Sequence, residues 1–179
     1  MTVFLVLFRG INVGGNKIVR MEVLREALTK AGFDKVATYI QSGNVVLTSD
    51  KKASEVAALV AKQFEQAFGF SSRPTVRSLE QWRELIAGNP FVAEAKDHKT
   101  VSEVLLDETP ADDAVERLRG FATTERIVPG EGVLYLHAPD GFGRSKVAEK
   151  LDATLKVPLT IRNWRTMLKL LDMAESTAN

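Results

Sequence analysis

One pattern of apolar residues is written twice along this chain, and it restricts the fold more than any single motif does. Val3–Phe8 is apolar at every position, which suits a strand covered on both faces. A polar loop punctuated by Gly10, Gly14 and Gly15 follows. Met21, Leu24, Leu28 and Ala31 then recur at helical spacing, and Gly32 closes that helix. Val36–Ile40 and Val45–Thr48 are strand-like around the turn QSGN, Gln41 to Asn44. Val56, Leu59, Val60, Phe64 and Phe68 form a second helical stripe ending at Gly69, and Pro74–Arg77 supplies a short fourth strand. Ser78 with Gln81 makes a capping box that opens a helix carrying Trp82, Leu85 and Ile86.

The second copy begins at Val101–Leu106, again strand-like. Pro110 suits the first turn of a helix carrying Val115 and Leu118 and ending near Gly120. Arg126–Val128 and Val133–His137 flank the turn PGEG. Val147, Leu151 and Leu155 form a helical stripe, Pro158–Arg162 a short strand, and a last helix from about Asn163 carries Trp164, Met167, Leu168 and Leu171. Twice, then, the order is β-α-β-β-α-β followed by a helix. The expected class is α+β: two tandem ferredoxin-like βαββαβ units, each with its helices on one sheet face. Residues 1–88 would form the first unit with its trailing helix, 89–98 a connector, and 99–179 the second unit with the C-terminal helix.

Charge and composition narrow what such a chain does. With 24 Lys+Arg against 23 Asp+Glu the net charge is +1, so the basic excess of a non-specific nucleic-acid binder is missing. The longest apolar run, Val3–Phe8, is far too short to span a bilayer and lacks the flanks of a signal peptide. The absence of cysteine removes disulfides, thiolate metal sites and cysteine nucleophiles. A soluble, cytoplasmic protein with no membrane association and no metal site is expected, and no cofactor is indicated.

Five segments carry a recognisable pattern: RGINVGGNK (Arg9 to Lys17), YIQSGNVV (Tyr39 to Val46), NPF (Asn89 to Phe91), GRSK (Gly143 to Lys146) and TIRNWRT (Thr160 to Thr166). In this order they resemble the bacterial family called domain of unknown function 1697, and the resemblance extends from the first strand to the last helix. It implies a two-part ferredoxin-like fold with polar loops, and it implies no activity.

Those loops are the candidate ligand sites. Gly10 and Gly15 have phosphate-loop spacing, but Asn16 follows Gly15, Lys17 comes one residue late and Ile18 follows it in place of a hydroxyl residue, so a nucleotide-hydrolysing loop is disfavoured. Two readings remain. In one, backbone N–H groups with Arg9 or Lys17 and Asn12 cradle an anion; in the other, Asn12 and Asn16 simply bond their own backbone. In QSGN, Ser42 and Asn44 satisfy a turn, whereas Gln41 is not a turn residue and its amide suits a ligand. Ser145 suits a helix N-cap, with Arg144 and Lys146 placed to attract an anion to the free N–H groups or merely to be solvated. Arg162 can bind a carboxylate or phosphate bidentately while Asn163 caps a helix. The tryptophans fit packing better than base stacking.

Taken as a topology, this order puts RGINVGGNK and QSGN at opposite ends of the first sheet and GRSK and TIRNW at opposite ends of the second, so that a shared site would have to form between halves. Acid–base chemistry has few candidates: His98 in the connector, and His137 beside Tyr135 on one strand face. Asp112 and Asp113 read as first-turn residues. The favoured function is binding of, or catalysis on, a small anionic or phosphate-bearing ligand. Nucleic-acid binding is the first alternative, disfavoured because NVVLTS and VLYLHA lack stacking aromatics. A protein-interaction or regulatory module is the second.

Overall fold

In the computed structural model, which describes residues 1–179, the chain forms two four-stranded antiparallel sheets and six helices. The first repeat runs β1 (Thr2–Leu7), α1 (Met21–Lys30), β2 (Asp34–Tyr39), β3 (Asn44–Ser49), α2 (Ala53–Phe68), β4 (Thr75–Ser78) and α3 (Leu79–Ala87). Its strand order is β2-β3-β1-β4, the ferredoxin-like arrangement that the sequence pattern predicts. Strand β1 is central and every residue from Val3 to Phe8 is buried, as its unbroken apolar run requires. Alternate residues Phe4, Val6 and Phe8, with Val45 and Leu47 of β3, meet Leu24 and Leu28 of α1 and Val56, Val60 and Phe64 of α2. Phe64 anchors this layer, its ring lying 4.7 Å from Phe8, 4.9 Å from Phe68 and 5.2 Å from Phe70.

The second repeat runs β5 (Val101–Leu106), α4 (Ala114–Arg119), β6 (Arg126–Gly130), β7 (Val133–His137), α5 (Lys146–Leu155), β8 (Leu159–Asn163) and α6 (Trp164–Ala178), with strand order β6-β7-β5-β8. Val104, Leu106, Leu134 and Leu136 face Leu118 of α4 and Val147, Leu151 and Leu155 of α5. Pro129 is accommodated because β6 is an edge strand and one of its sides needs no ladder donor.

Compactness divides the chain into Met1–Glu84 together with Lys169–Asn179, and Leu85–Leu168. The later segment is fastened to the first unit by a bidentate pair, Arg83 Nε and Nη2 to Glu175 at 2.7 and 2.6 Å, and by Lys35 Nζ donating to the Thr177 carbonyl at 2.8 Å. No helix is long and apolar enough to cross a membrane.

Two expectations need correction. Helix α4 starts at Ala114, so Pro110, Asp112 and Asp113 lie before it rather than in its first turn. The chain there makes a turn instead, closed by the Ala114 N–H on the Ala111 carbonyl at 2.9 Å. The second correction concerns the loops. Strand β3 is antiparallel to both β1 and β2, so β1 and β2 run the same way, and the β2–β3 hairpin emerges at the end where β1 exits. Leu7 is paired with Asn44 and with Thr75 of β4, which brings RGINVGGNK, QSGN and the entry to β4 to one end. By the same logic Val101 pairs with His137 and Ser102 with Asn163, so GRSK and TIRNW leave one end of the second sheet, about 10 Å apart because β5 lies between their strands.

Candidate functional site

The loop end of the first unit is a short projecting hairpin braced against the β2–β3 turn. Gly14 and Gly15 both have positive φ, 60° and 76°, as the two central residues of a type I′ turn require. Val13 pairs with Asn16 across that turn, and the Asn12 N–H donates to the Lys17 carbonyl at 3.1 Å. These bonds make the segment a finger rather than a phosphate cradle. Ile11 and Val19 root it in the core at 3% and 1% exposure.

Asn12 is the brace. Its Nδ2 donates to the carbonyls of Val19 at 2.9 Å and Gln41 at 2.7 Å, and its Oδ1 accepts from the Val19 N–H at 2.7 Å. Both of its amide hydrogens are used, one within the finger and one at the joint to the β2–β3 turn, and its φ of 53° is one that asparagine tolerates. Asn44 does the same for the turn. It is fully buried, and its Nδ2 donates to the Tyr39 carbonyl and to Ser42 Oγ, both at 3.0 Å. Gln41 contributes its carbonyl, while its side chain is exposed along with Arg9 and Ser42. Lys17 is exposed with its ammonium 5.8 Å from the Phe70 ring centroid.

Three features of this end escaped the sequence reading. Val13 and Ile18, apolar side chains on an otherwise polar loop, are 66% and 67% exposed. Ile40 is 51% exposed and has φ 49°, a left-handed conformation that costs a β-branched residue about 1–2 kcal/mol. The three segments that meet here, 8–20, 40–43 and 69–74, contain Arg9, Lys17, Arg20 and Arg73 and no Asp or Glu. A chain of net charge +1 therefore carries four basic residues on one set of loops.

The second unit treats its motifs differently. Arg144 is exposed in a 3-10 turn, Phe142–Arg144, and Ser145 caps α5, accepting from the Ala148 N–H at 3.1 Å. The anion at this helix start is internal. Glu125 accepts from Ser145 Oγ at 2.7 Å, from the N–H groups of Thr123 and Thr124 at 2.9 and 3.2 Å, and from Thr123 Oγ1 at 3.2 Å. Burial alone would raise its pKa, but these hydrogen bonds outweigh it and hold the carboxyl well below the usual range. Lys146 is paired with Glu149 at 3.2 Å. Ser145→Ala is expected to cost about 1–2 kcal/mol in urea denaturation, since it removes both a cap and a partner of Glu125. Arg162 is nearly buried on β8 and donates to the Ile161 carbonyl at 2.8 Å. Asn163 caps α6 by accepting from the Thr166 N–H at 2.9 Å. Trp82 and Trp164 are buried, as packing residues are.

The NPF segment also has a structural use. Asn89 Oδ1 accepts from the Phe91 N–H at 3.0 Å, and Asn89 Nδ2 donates to Glu103 Oε1 at 3.1 Å. Phe91 lies 5.6 Å from the His137 ring, with the Arg126 guanidinium 5.1 Å from its centroid. His137 Nδ1 is buried without a partner, while His98 Nε2 is 3.3 Å from the Val92 carbonyl.

Protein of unknown function (DUF1697) describes the family that matches residues 1–135. The chain belongs to this family. The matched region contains the finger, the β2–β3 turn and NPF, and it ends before GRSK and TIRNWRT. The chain is also similar to a solved structure, the conserved bacterial protein SP0830 from Streptococcus pneumoniae, with a TM-score of 0.75 and 26% identity, covering 97% of this chain and 98% of that one. No curated protein matches the sequence.

Proposed function

We propose that the chain binds a small anionic, phosphate-bearing ligand at the loop end of its first unit. The carrying observation is the meeting of three segments that bear four basic residues and no carboxylate of their own, Arg20 being paired with Glu22 of α1 at 3.8 Å, around a finger whose backbone is fixed by Asn12. A loop whose backbone is already held loses less freedom when an anion arrives, so such a surface favours binding. The strained, exposed Ile40 supports the same place, because backbone outliers concentrate where function opposes stability. The start of α5 is the weaker candidate, since Glu125 and Glu149 already engage Ser145 and Lys146.

Pyrophosphate and ATP are the probes. Each should raise the melting temperature at low salt, and the rise should shrink as salt screens the loops. Lys17→Glu should abolish most of the rise without lowering the melting temperature of the unliganded protein. The proposal fails if neither probe shifts the transition, or if Lys17→Glu leaves the shift intact.

Docking of a protein partner is the second reading, favoured by exposed Val13, Ile18 and Ile40 on adjoining loops. Base stacking on the sheets is disfavoured, because NVVLTS is buried throughout and Val133–Leu136 with it.

A further inference from the structure

The two sheets end differently. In the first unit, thirteen residues (8–20) connect β1 to α1, and Ile11 fills the space beside the β2–β3 turn. In the second, only seven (107–113) connect β5 to α4, and the helix begins late. At this equivalent place in the fold there is a cavity of about 610 Å³. That volume lies within the roughly 300–1,000 Å³ of small-molecule sites. Leu106, Val115, Pro129 and Leu134 give it an apolar lining, and Leu106 and Leu134 belong to the core of the unit.

We propose that this cavity is a second binding site, taking a ligand with an apolar body and one cationic nitrogen, such as an arylalkylamine. The apolar lining offers burial to the body of such a molecule, worth roughly 25 cal/mol per Å² of apolar surface. Polarity around the lining sets the sign of the charge. Asp107, Glu108, Asp112 and Glu116 contribute four carboxylates against one guanidinium, and that guanidinium, Arg119, is held by Glu116 and by the Ile127 carbonyl at 3.0 Å. The lining side chains thus sum to a net charge of −3, with Asp112 and Glu116 exposed at the edge, and this favours an ammonium. A carboxylate of the same shape is repelled.

Three indoles of nearly equal size separate charge from shape: tryptamine, tryptophol and indole-3-acetate. Each is titrated into the full chain and followed by amide chemical shifts. Tryptamine should move amides in 107–116 and 130–134, and bind about tenfold more tightly than tryptophol, with indole-3-acetate weakest. The double variant Asp112→Asn, Glu116→Gln should remove most of that preference, and an unaltered amide spectrum of the unliganded variant outside 107–119 reports that the fold is intact. The inference is overturned if tryptamine moves no amide in these two segments at millimolar concentration. It is equally overturned if the three indoles bind alike. Phosphate-bearing probes act at the other unit, so either outcome is independent of theirs.

Discussion

Gly43→Ala is expected to lower the stability of the protein by about 3 kcal/mol, read as a shift in the midpoint of urea denaturation. Gly43 has φ 83°, and a Cβ placed there would stand 2.6 Å from Ile11 Cδ1 and 2.8 Å from Phe8 Cβ. Two costs add. The left-handed backbone costs an alanine about 1 kcal/mol, and overpacking a buried contact costs about 1–3 kcal/mol. The Ile11 terminus can rotate away, but Phe8 Cβ is fixed to its backbone, and the Phe8 N–H is itself bonded to the Gly43 carbonyl at 2.8 Å. Relief of the clash therefore breaks the joint between the first strand and the turn. Gly15→Ala is the control: its φ is 76°, but no heavy atom lies within 4 Å of the added Cβ, so only the backbone cost of about 1 kcal/mol applies. Equal losses for the two variants would show that the joint is soft and that the finger is not fixed by it.

Glu103→Gln is expected to stabilise the protein above pH 7 and to flatten the dependence of stability on pH below it. Glu103 is fully buried in the central strand β5, with Tyr135 and Arg162 opposite it on β7 and β8. Asn89 donates to one carboxylate oxygen, and the other has no partner. Burial pushes its pKa up from 4.5 to about 7, opposed only weakly by the Asn89 bond. The same surroundings push Tyr135 up to about 12, through burial and then the nearby Glu103 charge, while its hydroxyl donates to the Leu85 carbonyl at 3.0 Å. For Glu103 the sign follows from linkage. The folded state keeps a proton that the unfolded chain has lost, so its contribution is complete below pH 4.5 and disappears as pH rises through about 7. The interval from 4.5 to about 7 corresponds to about 3 kcal/mol. Glutamine keeps an oxygen for Asn89 and never ionises. Denaturation midpoints measured from pH 5 to 8 should fall for the parent until about pH 7 and then level off, and remain level throughout for the variant. Parallel curves would sink this account. Glu125 acts in the opposite sense and in a separate window. Its depressed pKa makes its contribution complete above the ordinary carboxylate range and lost as the solution becomes acidic.

Much of the fold was legible in the sequence because its cues are periodic and local. The apolar run at Val3–Phe8, the capping box of Ser78 with Gln81 and the cap at Ser145 each specify their neighbourhood, and each stands where expected. The reciprocal bonds of the box, Ser78 N–H to Gln81 Oε1 at 2.9 Å and Gln81 N–H to Ser78 Oγ at 3.2 Å, need only residues three apart. What failed was the tracing of strand direction, a non-local property. Once β2 runs beside β3 and β3 beside β1, the turn at Gln41 must meet the loop at Asn12, and no residue at either place announces it. Chemistry was hardest to read where a residue looked ordinary. Glu103 sits in VSEVLL beside Ser102, two polar residues in a strand of no clear alternation, and only burial on both faces makes it unusual. Glu125 gave one weak cue, two threonines before it whose N–H groups lie within reach of its carboxylate. Of the chosen candidates, Asn12, Asn44, Ser145 and Asn163 proved to be fastenings. Of the rest, Arg9, Lys17, Gln41, Ser42, Arg144 and Lys146 are exposed, Lys146 paired with Glu149, and Arg162 is buried.

The first unit is assembled from two stretches of chain with the whole of the second between them. During synthesis, residues 85–168 emerge from the ribosome before Lys169–Asn179 do, so the second unit can close while the first still lacks a piece. Arg83 and Lys35 must wait for Glu175 and Thr177. Nascent-chain order is thereby reversed, and the unit made first is the one finished last.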